Sequence, residues 1–170
     1  MNDTLRHLSC RAWCLAGVAF CLMMMAVALI LQYVFELEPC PLCIFQRVAV
    51  LTALIVFAVG AFHNPKRGGG IVYGVLALIG SLGGAVIAGR HVWLQHLPPD
   101  QVPSCGPGLD YMLEVLPLWN VMSQVLSGSG ECAEIHGMWL GLSLPMWTLA
   151  GFIILSFIPI GLIVRSLRAA

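Results

Sequence analysis

In 170 residues the chain carries 9% charged side chains against 59% hydrophobic ones, with a mean hydropathy of +0.92 and no formal net charge. A soluble domain carries about 25% charged residues, so the composition excludes an ordinary water-soluble domain and points to lipid. The chain also lacks a basic tract for nucleic acid and a glycine fingerprint for nucleotides; Gly68-Gly69-Gly70, beside Lys66 and Arg67, reads as a turn.

Taken in chain order, the first predicted element is an apolar stretch over roughly Trp13–Phe35, with Arg6 and Arg11 ahead of it. It exceeds the ~7–15 residues of a signal-peptide core, and no small-x-small cleavage pattern follows before Glu36. It therefore reads as a retained membrane anchor. Cys10, Cys14 and Cys21 share one of its helical faces and read as small packing residues.

A short connection, about 36–41, leads into Glu38-Pro39-Cys40-Pro41-Leu42-Cys43-Ile44-Phe45-Gln46-Arg47 and a second apolar stretch over Leu42–Phe62. Pro41 suits the first turn of a helix, where a missing N–H costs nothing. Cys43 then lies at the positive end of the helix dipole, where a thiol ionises more readily. Arg47 follows one turn deeper on the same face, within reach of Cys43 or of a ligand oxygen beside it. A cation held in hydrocarbon is expensive and usually has a task. Gln46 reads as a hydrogen bond between helices.

The third stretch, Ile71–Leu94, carries Gly80-x-x-x-Gly84 and Ala85-x-x-x-Gly89, which allow close helix approach. Its end presents Arg90, His91 and His96, any of which can approach Cys43 across the top of a bundle. The long connection that follows, about 95–137, holds Cys105 and Cys132. Between them Leu109–Leu126 has helical spacing broken at Pro117, so a short helix along the membrane surface is predicted. The last stretch is Met138–Val164. Trp93, Trp119, Trp139 and Trp147 read as an outer aromatic belt.

Each stretch is long enough to cross about 30 Å of hydrocarbon. The predicted fold is thus an all-α, four-helix transmembrane bundle forming a single membrane domain over 1–170, with spans near 13–35, 42–62, 71–94 and 138–164. Six of the eight Lys and Arg fall at the two ends and in the middle connection. The positive-inside rule places those segments, and both termini, in the cytoplasm. Cys40, Cys43, Cys105 and Cys132 then face an oxidising compartment, where disulfides persist.

Four cysteines allow three pairings. Cys40–Cys43 with Cys105–Cys132 is the expected resting arrangement, and it supports a redox relay. Two alternatives stay open: Cys105–Cys132 as a static staple beside a separate CxxC, or one zinc ion shared by all four. No ligand set for a cluster, haem or flavin is evident, and no metal is expected. A relay at the lipid edge needs an acceptor, and a quinone is the most economical. It requires only an apolar groove and one or two donors, and Arg47 would stabilise negative charge building on its oxygen.

With these residues assembled, the chain resembles the DsbB family of disulfide bond formation proteins. The resemblance rests on Pro39-Cys40-Pro41-Leu42-Cys43 with Gln46-Arg47, on Cys105, on Gly130-Glu131-Cys132-Ala133-Glu134 and on Pro145-x-Trp147. It implies a multi-pass protein of the bacterial inner membrane with two periplasmic loops. A reduced periplasmic DsbA-like partner would attack Cys105, and Cys132 would pass electrons on to Cys40. Cys43 would then meet ubiquinone, or menaquinone, from the membrane pool, with Arg47 supporting that site. The resemblance also implies a quinone-proximal histidine near the end of the third span, where His96 fits the count from the loop better than His91. Other readings are a vitamin K epoxide reductase-like enzyme running electrons the other way, a paralogue with a dedicated partner, and a non-enzymatic scaffold.

Overall fold

The structure is a computed structural model and describes residues 9–65, 69–98, 100–104, 108–135 and 137–168. Arg6, Lys66 and Arg67, which carry part of the orientation argument, lie outside the described residues, as does Cys105.

Four long helices make up the body: α1 (Cys10–Tyr33), α2 (Pro41–His63), α3 (Gly69–Gln95) and α7 (Leu144–Arg168). At ~1.5 Å per residue each exceeds the hydrocarbon thickness of a bilayer. Their ends follow local chemistry. The Ser9 hydroxyl accepts the Ala12 N–H at 3.2 Å to start α1. Asn64, left-handed at φ 43°, closes α2 with its N–H on the Gly60 carbonyl, and Pro65 bars any continuation. The helices form a ring in which α3 packs between α2 and α7, and α1 closes the gap between α7 and α2.

Small residues set that packing. Along α3 the buried positions are Gly70, Gly74, Ala77, Ser81, Gly84, Ala88, His91 and Leu94, a single stripe at helical period. Phe57, Phe152, Leu155 and Leu162 fill the space beside it. The outer faces carry exposed Leu22, Val27, Ile55, Val86 and Phe157. A chain apolar inside and out is a membrane protein, since only lipid accepts such a surface.

The two small-residue motifs of α3 differ in use. A side chain at Gly84 would run into the Phe152 ring of α7, while Gly80 lies against Ala53 of α2, with the nearest atom 3.6 Å from a built Cβ. Gly89 has nothing within 4 Å, so the second motif makes no close approach there. Gly84→Leu therefore destabilises the bundle by about 1–3 kcal/mol through overpacking, read as a lower unfolding temperature in detergent. Gly89→Leu leaves that temperature unchanged.

A roof of short helices covers one end: α4 (Leu109–Val115), α5 (Leu118–Ser127) and α6 (Gly130–Ala133). The predicted helix over 109–126 is thus two helices, broken at Leu116-Pro117, where a proline bars the helical conformation of the residue before it. Met112, Val121 and Val125 turn inward onto Leu42 and Leu94. The fourth span begins at Leu144 and not near 138. Residues ahead of it form a hairpin of β1 (Met138–Trp139) and β2 (Leu142–Ser143), joined through Leu140 at φ 52° and Gly141 at φ 79°. Two successive positive φ values make the tight turn that suits a two-residue hairpin and that no helix tolerates.

Candidate active site

The site lies where the roof meets the ends of α2 and α3. Cys40 is the N-cap of α2: its backbone is extended, Pro41 opens the helix, and its sulfur accepts the Cys43 N–H at 3.4 Å. That capping geometry brings the Cys40 and Cys43 sulfurs to 3.0 Å, both as thiols. Cys40 is buried and Cys43 half-buried.

From α3, His91 reaches both sulfurs. It is only 3% exposed, with Nε2 3.8 Å from the Cys40 sulfur and Nδ1 3.9 Å from that of Cys43. The helix-to-helix bond expected of Gln46 runs to this ring, its Nε2 lying 3.3 Å from Nδ1. With the Gln46 amide donating to Nδ1, the ring hydrogen sits on Nε2 and faces Cys40. His96, the better fit by counting, stands apart: it is exposed, one residue past the end of α3, and its ring bonds the Val92 carbonyl at 2.8 Å.

Arg47 lies on α2 but turns to α1. Nη1 donates to the Gln32 side-chain oxygen and Nη2 to the Ala28 carbonyl at 3.2 Å. The expected reach toward Cys43 is replaced by these two bonds because a half-buried guanidinium among apolar side chains must find acceptors. Gln32 was not among the sequence candidates. Its signal is a lone polar side chain near the outer end of an apolar span.

The roof brings in Cys132, which is 1% exposed. Cys132 packs in the same buried cluster as Cys40, and the Ser129 hydroxyl lies 3.6 Å from its sulfur. Arg90 fastens this arrangement. Its Nε and Nη2 donate to the carbonyls of Leu126 and Ser127 at the end of α5, at 3.2 and 2.9 Å, while its guanidinium stacks on Trp93 at 4.1 Å. Gly128 then turns the chain toward α6 at φ +87°, with Leu94 packed where a side chain would stand. Cys105 is outside the described residues, but its neighbour Ser104 accepts the Gly130 N–H at 3.4 Å, two residues from Cys132.

Interaction with the neighbouring Cys40 thiol, and burial after it, push the Cys132 thiol well above the ordinary range, with Ser129 pulling part of the way back. A raised pKa shrinks the thiolate fraction at a given pH, and the thiolate is the nucleophile. At about pH 8.5, where an ordinary thiol is half-ionised, alkylation of Cys132 should be slow and still climbing with pH. Cys40→Ala removes the first cause and moves the midpoint of that profile down. A midpoint at the ordinary thiol value in the unmodified chain would contradict the geometry.

Chemically, the site sets Cys40 against two sulfur neighbours, one on its own helix and one on the roof, with an imidazole at the junction. Cys40, Cys43 and His91 present ligand atoms within 4.8 Å of one another, close enough to share a cation. Cys10, Cys14 and Cys21 belong to the bundle core, and Cys14 packs against Gly60.

The model of the family described as disulfide bond formation protein DsbB matches residues 10–161. A protein named disulfide bond formation protein B from Chromohalobacter salexigens is 61% identical over 160 residues, covering 94% of this chain and 93% of that one. Relatives of the same name from Hahella chejuensis and Nitrosococcus oceani are 55% and 52% identical, covering 76% and 85% of this chain and 79% and 85% of their own.

Proposed function

The chain belongs to the DsbB family of disulfide bond formation proteins, and from that membership we propose that it oxidises a soluble dithiol partner and delivers the electrons to a membrane quinone. The coarser statement, a disulfide-forming oxidoreductase embedded in the membrane through several helices, follows from the family and the four long apolar helices. The finer reading adds direction, partner, acceptor and residue roles. One observation carries it: the Cys40 sulfur stands 3.0 Å from that of Cys43 and shares a buried cluster with Cys132 of the roof.

The relay balances in three exchanges. A reduced periplasmic DsbA-like partner attacks the Cys105–Cys132 disulfide at Cys105, then closes its own disulfide and leaves both cysteines as thiols. Cys132 attacks Cys40 of a Cys40–Cys43 disulfide, and Cys43 departs as thiolate. Cys105 then attacks Cys132 and releases Cys40. Two electrons and two protons have moved to the Cys40–Cys43 pair, by attack of thiolate on disulfide at each stage.

Ubiquinone or menaquinone, when bound, supplies the acceptor for those two electrons and two protons. The residues fit such a group. Arg47 has five N–H donors, more than its contacts with Gln32 and Ala28 use. It offers fixed positive charge to an oxygen that becomes negative. His91 carries its hydrogen on the nitrogen facing Cys40, where it can donate to the Cys40 thiolate released in the last exchange. The apolar outer face of the bundle gives a lipid-soluble molecule direct access.

By the distribution of Lys and Arg, both termini are cytoplasmic and the cysteine site is periplasmic, in a bacterial inner membrane. The vitamin K epoxide reductase-like reading places its CxxC late in the bundle, whereas this one opens α2 and α7 has no cysteine. In the direct test, purified chain is mixed with a reduced thioredoxin-like dithiol protein and a soluble quinone analogue. Quinone absorbance falls only with all three present. Thiol oxidation without quinone loss would overturn the acceptor assignment.

A further inference from the structure

We propose that the reduced site is also a binding site for a soft divalent cation, zinc in the first instance, held by Cys40, Cys43 and His91 with Cys132 as fourth ligand. The inference uses the same thiols as the relay but neither its direction nor its acceptor. The sequence left open a zinc shared by four cysteines, although it has one CxxC and not two; the geometry substitutes a buried imidazole for the fourth sulfur.

The donor set argues for the metal class. Ligand atoms of Cys40, Cys43 and His91 fall within 4.8 Å of one another, with separations of 3.0, 3.8 and 3.9 Å. In a tetrahedral zinc site, bonds of about 2.3 Å to sulfur and about 2.0 Å to nitrogen place ligand atoms roughly 3.5–3.8 Å apart. One ring nitrogen binds the ion, either Nε2 at 3.8 Å from the Cys40 sulfur or Nδ1 at 3.9 Å from that of Cys43. Either lies close to that span, and the sulfur pair has to open from 3.0 Å. Cys132, a further buried sulfur in the same cluster, closes in from the roof as the fourth ligand and makes a Cys3His set. With sulfur and imidazole donors only, the cluster suits a soft or borderline ion and not magnesium or calcium, which take oxygen.

Groups that hold these ligands in place are present as well. Gln46 bonds the His91 ring, and Ser129 lies on the Cys132 sulfur. Partners of this kind fix a ligand's orientation and tautomer. For Nε2 to bind the ion the ring hydrogen moves to Nδ1, and the Gln46 amide turns to accept it through Oε1.

Binding is not a redox step. The cation replaces the thiol protons of Cys40 and Cys43, and that of Cys132 when it joins, and these protons pass to solvent. Disulfides offer no thiolate, so only the reduced form binds. Zinc therefore holds the chain in the dithiol state and stops turnover until it is removed.

The test reads binding without turnover. Full-length chain in detergent, reduced and stripped of metal, is titrated with Cd2+ while thiolate-to-cadmium charge-transfer absorption is followed, and Zn2+ is then added in competition. The band saturates in the reduced chain, is absent after oxidation, and survives replacement of Cys10, Cys14 and Cys21 by Ala. Cys40→Ser removes it. His91→Ala weakens Zn2+ binding by at least about tenfold, the lower end of what even outer-shell partners contribute. In membranes holding the unmodified reduced chain, Zn2+ also protects Cys43 from a maleimide, which requires no variant to fold. A band that persists after oxidation or in Cys40→Ser, or Cys43 labelling indifferent to Zn2+, overturns the proposal.

Discussion

Cys43→Ser should lower the rate of quinone reduction by at least about 10³-fold, the scale of losing a nucleophile from a covalent mechanism. Cys43 is the thiol released when Cys40 is attacked, and its sulfur stands 3.0 Å from that of Cys40. Without it Cys40 has no partner on α2 with which to regenerate a disulfide. Electrons entering at the roof then stop at the Cys105–Cys132 pair, because a lone Cys40 thiol offers Cys132 no disulfide to attack. The variant should still exchange once with a reduced partner and then stop. That burst separates the result from misfolding, which removes both phases. Multiple-turnover and single-turnover assays on one preparation make the distinction, and an unchanged steady rate would sink the mechanism.

Arg47→Ala should lower kcat/KM for a quinone analogue by about 10²–10³-fold, the usual magnitude for removing a donor aimed at developing negative charge. Thiol exchange between partner and roof should keep its rate. Arg47→Lys should recover only part of the loss, because a lysine keeps the charge but not the planar fork. The tie to α1 complicates a single variant, since Arg47 also holds Gln32 and the Ala28 carbonyl. Gln32→Leu removes one of those bonds and leaves the cation in place. A structural role predicts equal losses for Arg47→Ala and Gln32→Leu; the electrostatic role predicts a much larger loss for Arg47→Ala.

Hydropathy was enough to read the body of the fold, because lipid imposes length and composition on every spanning helix. Pro117 likewise announced the break between α4 and α5. The start of α7 was misjudged since Met138, Trp139 and Leu140 are apolar, and hydropathy does not see the two positive φ values that fold them into a hairpin. The candidate site was legible as far as single positions go. Cys40, Cys43, Arg47 and Cys132 stood out from residue type and place.

Which histidine joins them was not legible by counting from a loop. It is legible from period: Ala77, Ser81, Gly84 and Ala88 are the buried stripe of α3, and His91 continues it by one turn. His96 falls past the end of the helix, beyond that face. Arg90 and Gln32 were missed as positioning groups for another reason. Their partners, the carbonyls ending α5 and the guanidinium of Arg47, belong to segments far away in sequence, and no local pattern reports such pairs.

The most direct measurement of the relay is a trapping experiment in Cys132→Ala. With Cys132 gone, the lone Cys105 thiolate should attack the disulfide of the oxidised form of a periplasmic thioredoxin-fold partner and stay joined to it, seen as a reducible adduct and mapped to Cys105 by mass spectrometry. The adduct should vanish in the double variant lacking Cys105. A chain that traps no such partner, or one that traps it through Cys40 or Cys43 while Cys105 stays free, would contradict entry at the roof and with it the order of the relay.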